Sequence, residues 1–520
     1  MSEKHAITRA ASIIGIGTLL SRILGFLRDA VIAHFFGAGM AADAFFVAFR
    51  IPNLWRRLVG EGALTISFIP VYTETLVRRP EEESRELTHV AFTLAGTILF
   101  VLTLVGIVFS PLLIRVIALG WVAEAPEKFQ LTVSLNRIIF PYLFFMGLFA
   151  LSMGILNSRR HFAAPAIAPV FLNIFMILSV FFFYTSFKRP VMALALGVLA
   201  GGIVQFLFQI PFLVKKGISF RFNFNFRHPA MKRISLLMVP GLIGSAVYQL
   251  NVFIDTIFAS FLPEGSVSYL YFADRLLEFP LGLFAVAVGM ASLPSLSTLA
   301  SEGRVSELKE TLSFALRLVS FISIPAMIGL IALKTPIIHV LFQRGVFDDS
   351  ATMKTASALL CYTVGLWAIA GARTLVPAFY ALQDTWTPLR IGLICLGANV
   401  VLNAILMVPL KHAGLALATS LSSVLNLVLL SRAASLKLGG MDMKEVAAPL
   451  LRIFVCSLPM GLVSYLICSL GDWSKAGQTA EKIVLLSLGV SAGIGIYGVG
   501  SYWAKNEEML FLLKAVRRKR

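Results

Sequence analysis

Between Ser21 and Gly62 the chain reads SRILGFLRDAVIAHFFGAGMAADAFFVAFRIPNLWRRLVGEG, an apolar run that carries Arg22, Arg28, Asp29, Asp43, Arg50, Arg56, Arg57 and Glu61. Guanidinium groups stay charged at any physiological pH, and their planar fork binds phosphate bidentately. At bilayer depth each charge costs about 2.5–3.5 kcal/mol on the insertion scale, so a charged run of this kind must line protein or a water-filled cavity. The chemistry available to it is the holding of an anion. In this stretch and its second-half counterpart, Arg22, Arg28, Arg50, Arg56, Arg57 and Arg275 outnumber Asp29, Asp43, Glu61 and Asp274. Ion pairs such as Arg28 with Asp29 or Arg57 with Glu61 account for part of this, and arginines near helix ends can snorkel to headgroups. The surplus implies an anionic ligand.

The elements that position these charges are helices. On an ideal helix Asp43, Arg50, Arg57 and Glu61 fall within about 40° of one another. Arg56 lies roughly 140° from Asp43 on the same wheel, although a kink at Pro52 would change that phase. Arg22 and Asp29 share a face, with Arg28 about 120° away.

The 520 residues are 58% hydrophobic and 14% charged, with mean hydropathy +0.84. Soluble domains carry about 25% charged residues. Apolar runs near 20 residues recur throughout, without two-residue alternation, which gives an all-α polytopic membrane protein and excludes a β-barrel. Lys4 and Arg9 precede a short apolar stretch that Arg22 interrupts, and no small-residue cleavage site follows, so the N-terminus reads as a first spanning helix. Cys361, Cys395, Cys456 and Cys468 sit in apolar runs at unrelated spacings and read as small buried hydrophobes. The net charge of +18 fits basic loops facing anionic headgroups rather than nucleic acid.

About fourteen spans are expected. The first-half spans are 9–36, 42–77, 87–118, 130–157, 163–186 and 190–214. The later ones are 233–262, 266–300, 312–333, 352–382, 386–409, 412–435, 446–470 and 481–504. Loops on one side hold roughly 24 basic residues against roughly eight opposite, which places both termini in the cytoplasm. The opposite loops, such as WVAEAPEK and LPEGSVS, are too short for a soluble catalytic domain.

A repeat runs through this pattern. Asp29 aligns with Asp255, Asn157 with Gln383 and Asn173 with Asn399, all at an offset of 226. Arg50 aligns with Arg275 at 225 and Pro70 with Pro294 at 224. The offset spans six helices, so the expected organisation is two parallel six-helix bundles, 1–215 and 233–440, around a central cavity. Residues 441–520 add two helices and a basic tail. A second polar cluster, Asp255 with Asn399, Asn403 and Thr419, offers oxygen ligands suited to a hard cation such as Na⁺. Interhelical hydrogen bonding is the competing reading.

The charged stretch SRILGFLRDAVIAHFFGAGMAADAFFVAFRIPNLWRRLVGEGA closely resembles the start of the MurJ/MviN family, the lipid II flippases of bacterial peptidoglycan synthesis. GSVSYLYFADRLLEFPLGLFAVAVG and PLKHAGLALA resemble its later motifs, and the similarity covers essentially the whole chain. The resemblance implies a fourteen-helix member of the multidrug/oligosaccharidyl-lipid/polysaccharide exporter superfamily with a cationic cavity. Its cargo would be undecaprenyl-pyrophosphate bearing a disaccharide-pentapeptide, flipped from the inner to the outer leaflet of the cytoplasmic membrane by alternating access. The family positions carried over are Arg22, Arg28, Asp43, Arg56, Arg57, Glu61 and Arg275; Arg50 matches in charge only. The resemblance favours Arg56 of the pair and the straight wheel Arg57, so both stay candidates. The helices after 440 would help to form a groove for the lipid tail. No cofactor is expected beyond a coupling Na⁺ or H⁺, and the protein is expected to act as a monomer among membrane lipids. The alternatives are a polysaccharide-lipid flippase or drug exporter of the same superfamily, or a membrane enzyme acting on lipid pyrophosphates. An enzyme needs positioned acid, base or nucleophile groups, and the histidines here are scattered.

Overall fold

A computed structural model describes residues 3–56, 64–225, 227–440, 443–475 and 477–517, with no strand among them. Hydrocarbon offers no water to backbone N–H and C=O groups, so a chain this apolar must close those bonds within helices. Two compact units result, Met1–Gly265 and Ser266–Arg520.

The first unit comprises α1 (Glu3–Phe36), α2 (Met40–Trp55), α3 (Leu64–Arg78), α4 (Glu81–Val108), α5 (Ser110–Ile117), α6 (Trp121–Glu124), α7 (Pro126–Ile139) and α8 (Tyr142–Ser158). It continues through α9 (Ala163–Ile167), α10 (Pro169–Phe183), α11 (Met192–Leu207), α12 (Ile210–Lys215) and α13 (Pro229–Ser260). The α7–α8 run is its inner staff: 72% of its most apolar window is buried, against 33% for α4. Accordingly α4 turns Ile98, Val101, Leu104, Val105 and Val108 outward, as a lipid-facing band requires. Phe68, Tyr72, Leu87, Val90, Leu151 and Ile155 tie α3, α4 and α8 into one core. The unit boundary lies after α13, which packs on α3, α4 and α5.

The second unit comprises α14 (Ser266–Pro280), a π-helical turn (Leu281–Ala285), α15 (Val286–Ser301), α16 (Val305–Phe342), α17 (Asp349–Thr363) and α18 (Leu366–Ala381). α19 (Trp386–Leu410), α20 (His412–Lys437), α21 (Met443–Cys468), α22 (Thr479–Trp503) and α23 (Glu507–Arg517) complete it. Its core joins Leu296, Leu312, Leu375, Phe379 and Leu430 from α15, α16, α18 and α20. On α19 the buried positions Ile391, Cys395, Asn399 and Asn403 recur every four residues, while Ile394, Val401, Ile405 and Val408 are exposed. This helix is apolar outside and partly polar inside, the reverse of a soluble amphipathic helix. The extra helices α21 and α22 pack on α16 and each other, with only 28% and 17% of their windows buried, so most of their surface is left for lipid. Outside the spans, Asp384 accepts from Lys437 at 2.6 Å and from Thr387, which holds its carboxyl well below the usual range and fastens the α18–α19 turn to the end of α20.

By length and composition, nine helical runs among the described residues can cross a membrane, or ten if α17 and α18, bent by 44°, form one span. The four expected spans outside that set, 9–36, 42–77, 233–262 and 266–300, are helical where described. They are the segments in which charges, prolines or undescribed positions interrupt the apolar run. They also carry the candidate arginines. Pro52 lies inside α2, whose backbone becomes π-helical at Arg56. In the second unit Pro280 precedes the π turn at Leu281–Ala285. Proline removes a helical hydrogen bond, and π turns mark such breaks.

Helices α10 and α11 approach closely because α11 offers Gly197 and Gly201. A Cβ at Gly197 would lie 2.2 Å from Ser179 Oγ and 2.9 Å from Met176 Cα and Phe175 O; at Gly201 it would lie 2.9 Å from Leu172 Cα. Gly197→Ala is therefore expected to lower thermal stability by about 1–3 kcal/mol, the range for overpacking. Gly397→Ala, with no atom within 4 Å of its Cβ, should leave it unchanged. Thermal unfolding of the purified protein in detergent checks both.

Candidate functional site

The charged residues of the first unit are held in two places. On α1, Arg28 and Asp29 are buried side by side, and Arg28 donates to Asp29 Oδ1 through Nε (3.0 Å) and Nη2 (2.7 Å). The remaining fork nitrogen, Nη1, donates to Asn173 Oδ1 on α10 at 3.0 Å, and Asn173 Nδ2 donates back to Ser21 O at 3.1 Å. The internal pair foreseen for Arg28 is thus present, joined by an amide that the repeat singled out without assigning it a partner. Arg22, two turns earlier, is half-buried and makes no hydrogen bond or ion pair with any described residue.

The second place is the start of α2. Asp43, 1% exposed, accepts from Lys128 Nζ at 2.6 Å and from Gly265 N at 2.8 Å. Its position in the first helical turn also suits a carboxylate, since the helix N-terminus carries partial positive charge. Glu264 Oε1 accepts from Met40 N at 2.7 Å, and Ser260 Oγ accepts from Gly120 N at 3.0 Å. Lys128 lies 4.1 Å from the Trp121 ring centroid. The end of α13 and the residues after it are thereby fastened to α2, α6 and α7. Sequence reasoning placed Lys128 in a short exterior loop; it is instead a buried residue of α7. The signal was faint, a lysine two residues after Pro126 at the edge of an apolar run.

Further along α2, Arg50 donates to Thr256 Oγ1 and to Val252 O (3.3 Å) on α13. Arg56 donates to Asn53 Oδ1 at 2.9 Å, one turn back on its own helix. Arg57 and Glu61 lie outside the described residues, so the wheel's preference for Arg57 is not addressed.

In the second unit Arg275 is half-buried on α14, its guanidinium carbon 5.6 Å from the Tyr271 ring centroid, within cation–π range. One turn on, Glu278 accepts from Arg373 Nη2 of α18 at 2.9 Å. This half-buried pair was passed over in the sequence because Arg373 stands alone in a long apolar run, 95 residues from Glu278. Of the second polar cluster, Asn403 Nδ2 donates to Asn399 Oδ1 at 2.9 Å, both residues being fully buried. Thr419 Oγ1 donates to Leu415 O at 3.1 Å, and Asp255 is half-buried on α13 in the first unit. Among the described residues no three His, Cys, Asp or Glu side chains gather as metal ligands.

The family described as Lipid II flippase MurJ matches residues 32–480. A relative from Vibrio cholerae serotype O1, named "Probable lipid II flippase MurJ", is 38% identical over 518 residues, covering 98% of this chain and 97% of its own. The "Lipid II flippase MurJ" of Burkholderia cenocepacia is 38% identical over 417 residues, 79% of this chain and 81% of its own. A solved structure of a lipid II flippase MurJ in an inward closed conformation is similar at TM-score 0.78 and 28% identity, covering 94% of this chain and 98% of that one. An inward-facing multidrug resistance transporter of the MATE family shares the fold at TM-score 0.66 and 15% identity, covering 83% of this chain and 98% of its own.

Removing one member of a buried pair leaves the other charge uncompensated, at a cost of about 3–5 kcal/mol. Lys128→Met is expected to destabilise the protein by that order, and Asp43→Asn combined with Lys128→Met by less than the sum of the single changes. A double-mutant cycle on thermal stability checks the coupling.

Proposed function

The chain belongs to the lipid II flippase MurJ family, and we propose that its half-buried arginines bind the pyrophosphate of lipid II while the protein carries it from the inner to the outer leaflet. It is a transporter, not an enzyme, and a multi-pass protein of the inner membrane. The observation that carries the site reading is Arg22: a half-buried guanidinium in an apolar helix, without a hydrogen bond to any described residue, two turns from a buried Arg28. A cation so placed is stabilised by an anion that arrives with the cargo. Arg275, the repeat counterpart of Arg50, is half-buried on α14 beside the Tyr271 ring and is the candidate from the second unit.

On this reading the residues divide their work. Arg22 and Arg275 contact the pyrophosphate, replacing its lost hydration with bidentate hydrogen bonds. Arg50, Arg56 and Arg57 add to the positive field that attracts it, Glu61 offsets part of that charge, and Arg28, neutralised by Asp29, holds α1 to α10. Asp43, as an acceptor for Lys128 and Gly265, acts by fixing helices rather than by touching an anion. The molecule is monomeric, crosses the membrane fourteen times with both termini in the cytoplasm, and alternates its access by movement of residues 1–215 against 233–440. Residues 441–520 accommodate the lipid tail, which stays in hydrocarbon. Na⁺ held by Asp255 with oxygens of Asn399, Asn403 and Thr419, or protonation of Asp255, biases the conformational equilibrium by its differential affinity for the two states.

Arg22→Ala and Arg275→Ala are each expected to abolish complementation of a depleted host while protein levels stay near normal. Lysine at either position should recover part of the function, since it restores charge without the fork. Normal growth of the double alanine variant would overturn the assignment. For the ion, Na⁺ should raise the thermal stability of the wild type, and Asp255→Asn should remove that response while leaving lipid binding intact. A wild type indifferent to both Na⁺ and pH would reduce the cluster to structural hydrogen bonding.

A further inference from the structure

We propose that the connection between α12 and α13 is a strap that docks on the anionic lipid leaflet at the basic end of the first unit. With the last residue of α12 and the first turn of α13, the connection spans residues 215–233, KKGISFRFNFNFRHPAMKR, which hold six lysines and arginines and no acid. Lys215, Lys216, Arg221, Arg227, Lys232 and Arg233 are all exposed. Among them Phe220, Phe222 and Phe224 alternate with Arg221, Asn223 and Asn225, the two-residue period that sends side chains of an extended chain to opposite sides.

The segment is fixed rather than loose. His89 Nε2 lies 3.1 Å from Ser219 Oγ, Asn223 N donates to Thr93 Oγ1 at 2.9 Å, and Asn225 Nδ2 donates to Glu86 Oε1 at 3.3 Å. Phe220 packs edge-on against Phe92 at 5.0 Å. Three successive turns of α4 therefore hold the strap, and yet Phe222 is 86% and Phe224 67% exposed, with their rings stacked at 6.3 Å. Along this face Glu86 takes Asn225, Glu81 pairs with Arg85, Glu83 with Arg79, and Glu74 with Arg233, which leaves Lys215, Lys216, Arg221, Arg227 and Lys232 as the exposed cations open to a ligand.

Depth identifies the occupant. The outward apolar band of α4 begins at Ile98, five residues beyond Thr93, which is about 7.5 Å along the axis. The headgroup layer extends about 5–7 Å beyond the hydrocarbon on each side. Phe222, next to the Asn223 that Thr93 holds, is at that height with exposed cations around it, which matches the headgroup layer of an anionic leaflet, and Phe224 stacks on it from the water side. A soluble partner would not require an aromatic ring at this depth. The strap ends at His228, whose Nδ1 accepts from Ala230 N at 3.2 Å and caps α13. Docking thus fixes the starting point of the helix that bears Asp255 and receives Arg50.

The test places tryptophan at the strap as Phe222→Trp, with Phe224→Trp as an independent second site, in full-length protein in nanodiscs. The lipids carry bromine on the upper acyl chain, and phosphatidylglycerol-containing discs are compared with phosphatidylcholine alone. Emission added over the wild-type background should be quenched at least twofold more with phosphatidylglycerol, and Arg221→Gln with Arg227→Gln should remove that difference. Water-exposed emission in both lipids, equal quenching in both, or protection appearing only when soluble cell extract is added would each overturn the proposal; the last would assign the surface to a protein.

Discussion

A charge surrounded by hydrocarbon has no water to solvate it, so the protein must supply that solvation through its own fixed groups. Much of this structure is arranged around that requirement. Arg28 is covered by Asp29 and Asn173, Lys128 by Asp43, and Arg373 by Glu278. Each set joins helices that are distant in sequence, α1 to α10, α2 to α7 and α14 to α18. Because a buried charge without its partner is so costly, these contacts fix which helices are neighbours more sharply than apolar packing does, since lipid tails compete equally for apolar faces.

The same requirement separates two classes of arginine. Arg28, buried under an acid and an amide, is part of the scaffold. Half-buried Arg22, without a hydrogen bond to any described residue, is the guanidinium that the proposed cargo would solvate. A pyrophosphate has the converse problem, being unable to enter hydrocarbon without replacing its hydration. The proposed cargo and the proposed site resolve one another's cost.

Irregular backbone is concentrated in the charged helices. Pro52 with the π geometry at Arg56, and Pro280 with the turn at Leu281–Ala285, break α2 and α14, which also carry Arg50, Arg56 and Arg275. Such breaks are tolerated at membrane depth only where protein or a water-lined cavity covers the freed groups. By contrast α19, α21 and α22 expose long uninterrupted apolar faces, and their buried fractions are low. Charge and irregularity lie together, and regular apolar surface lies elsewhere.

The sequence alone determined the helical membrane class and the family. These follow from composition, apolar run length and long motifs, properties that are local or additive along the chain. The 226-residue offset likewise marked Asn173 and Asn399 as special, and both are buried amides within hydrogen bonds. Pairing was not legible. Arg28 with Asp29 could be guessed because the two are adjacent, but Lys128 for Asp43, Thr256 for Arg50 and Arg373 for Glu278 lie 85, 206 and 95 residues apart. Helical periodicity gives the face on which a residue sits, not the helix that face meets. Lys128 was read as a loop residue for the same reason: hydropathy records that a lysine interrupts an apolar run, and only the packed neighbours Asp43 and Trp121 make its burial favourable. The phase beyond Pro52 was equally beyond the sequence, because a proline and a π turn change the rotation per residue on which any wheel depends.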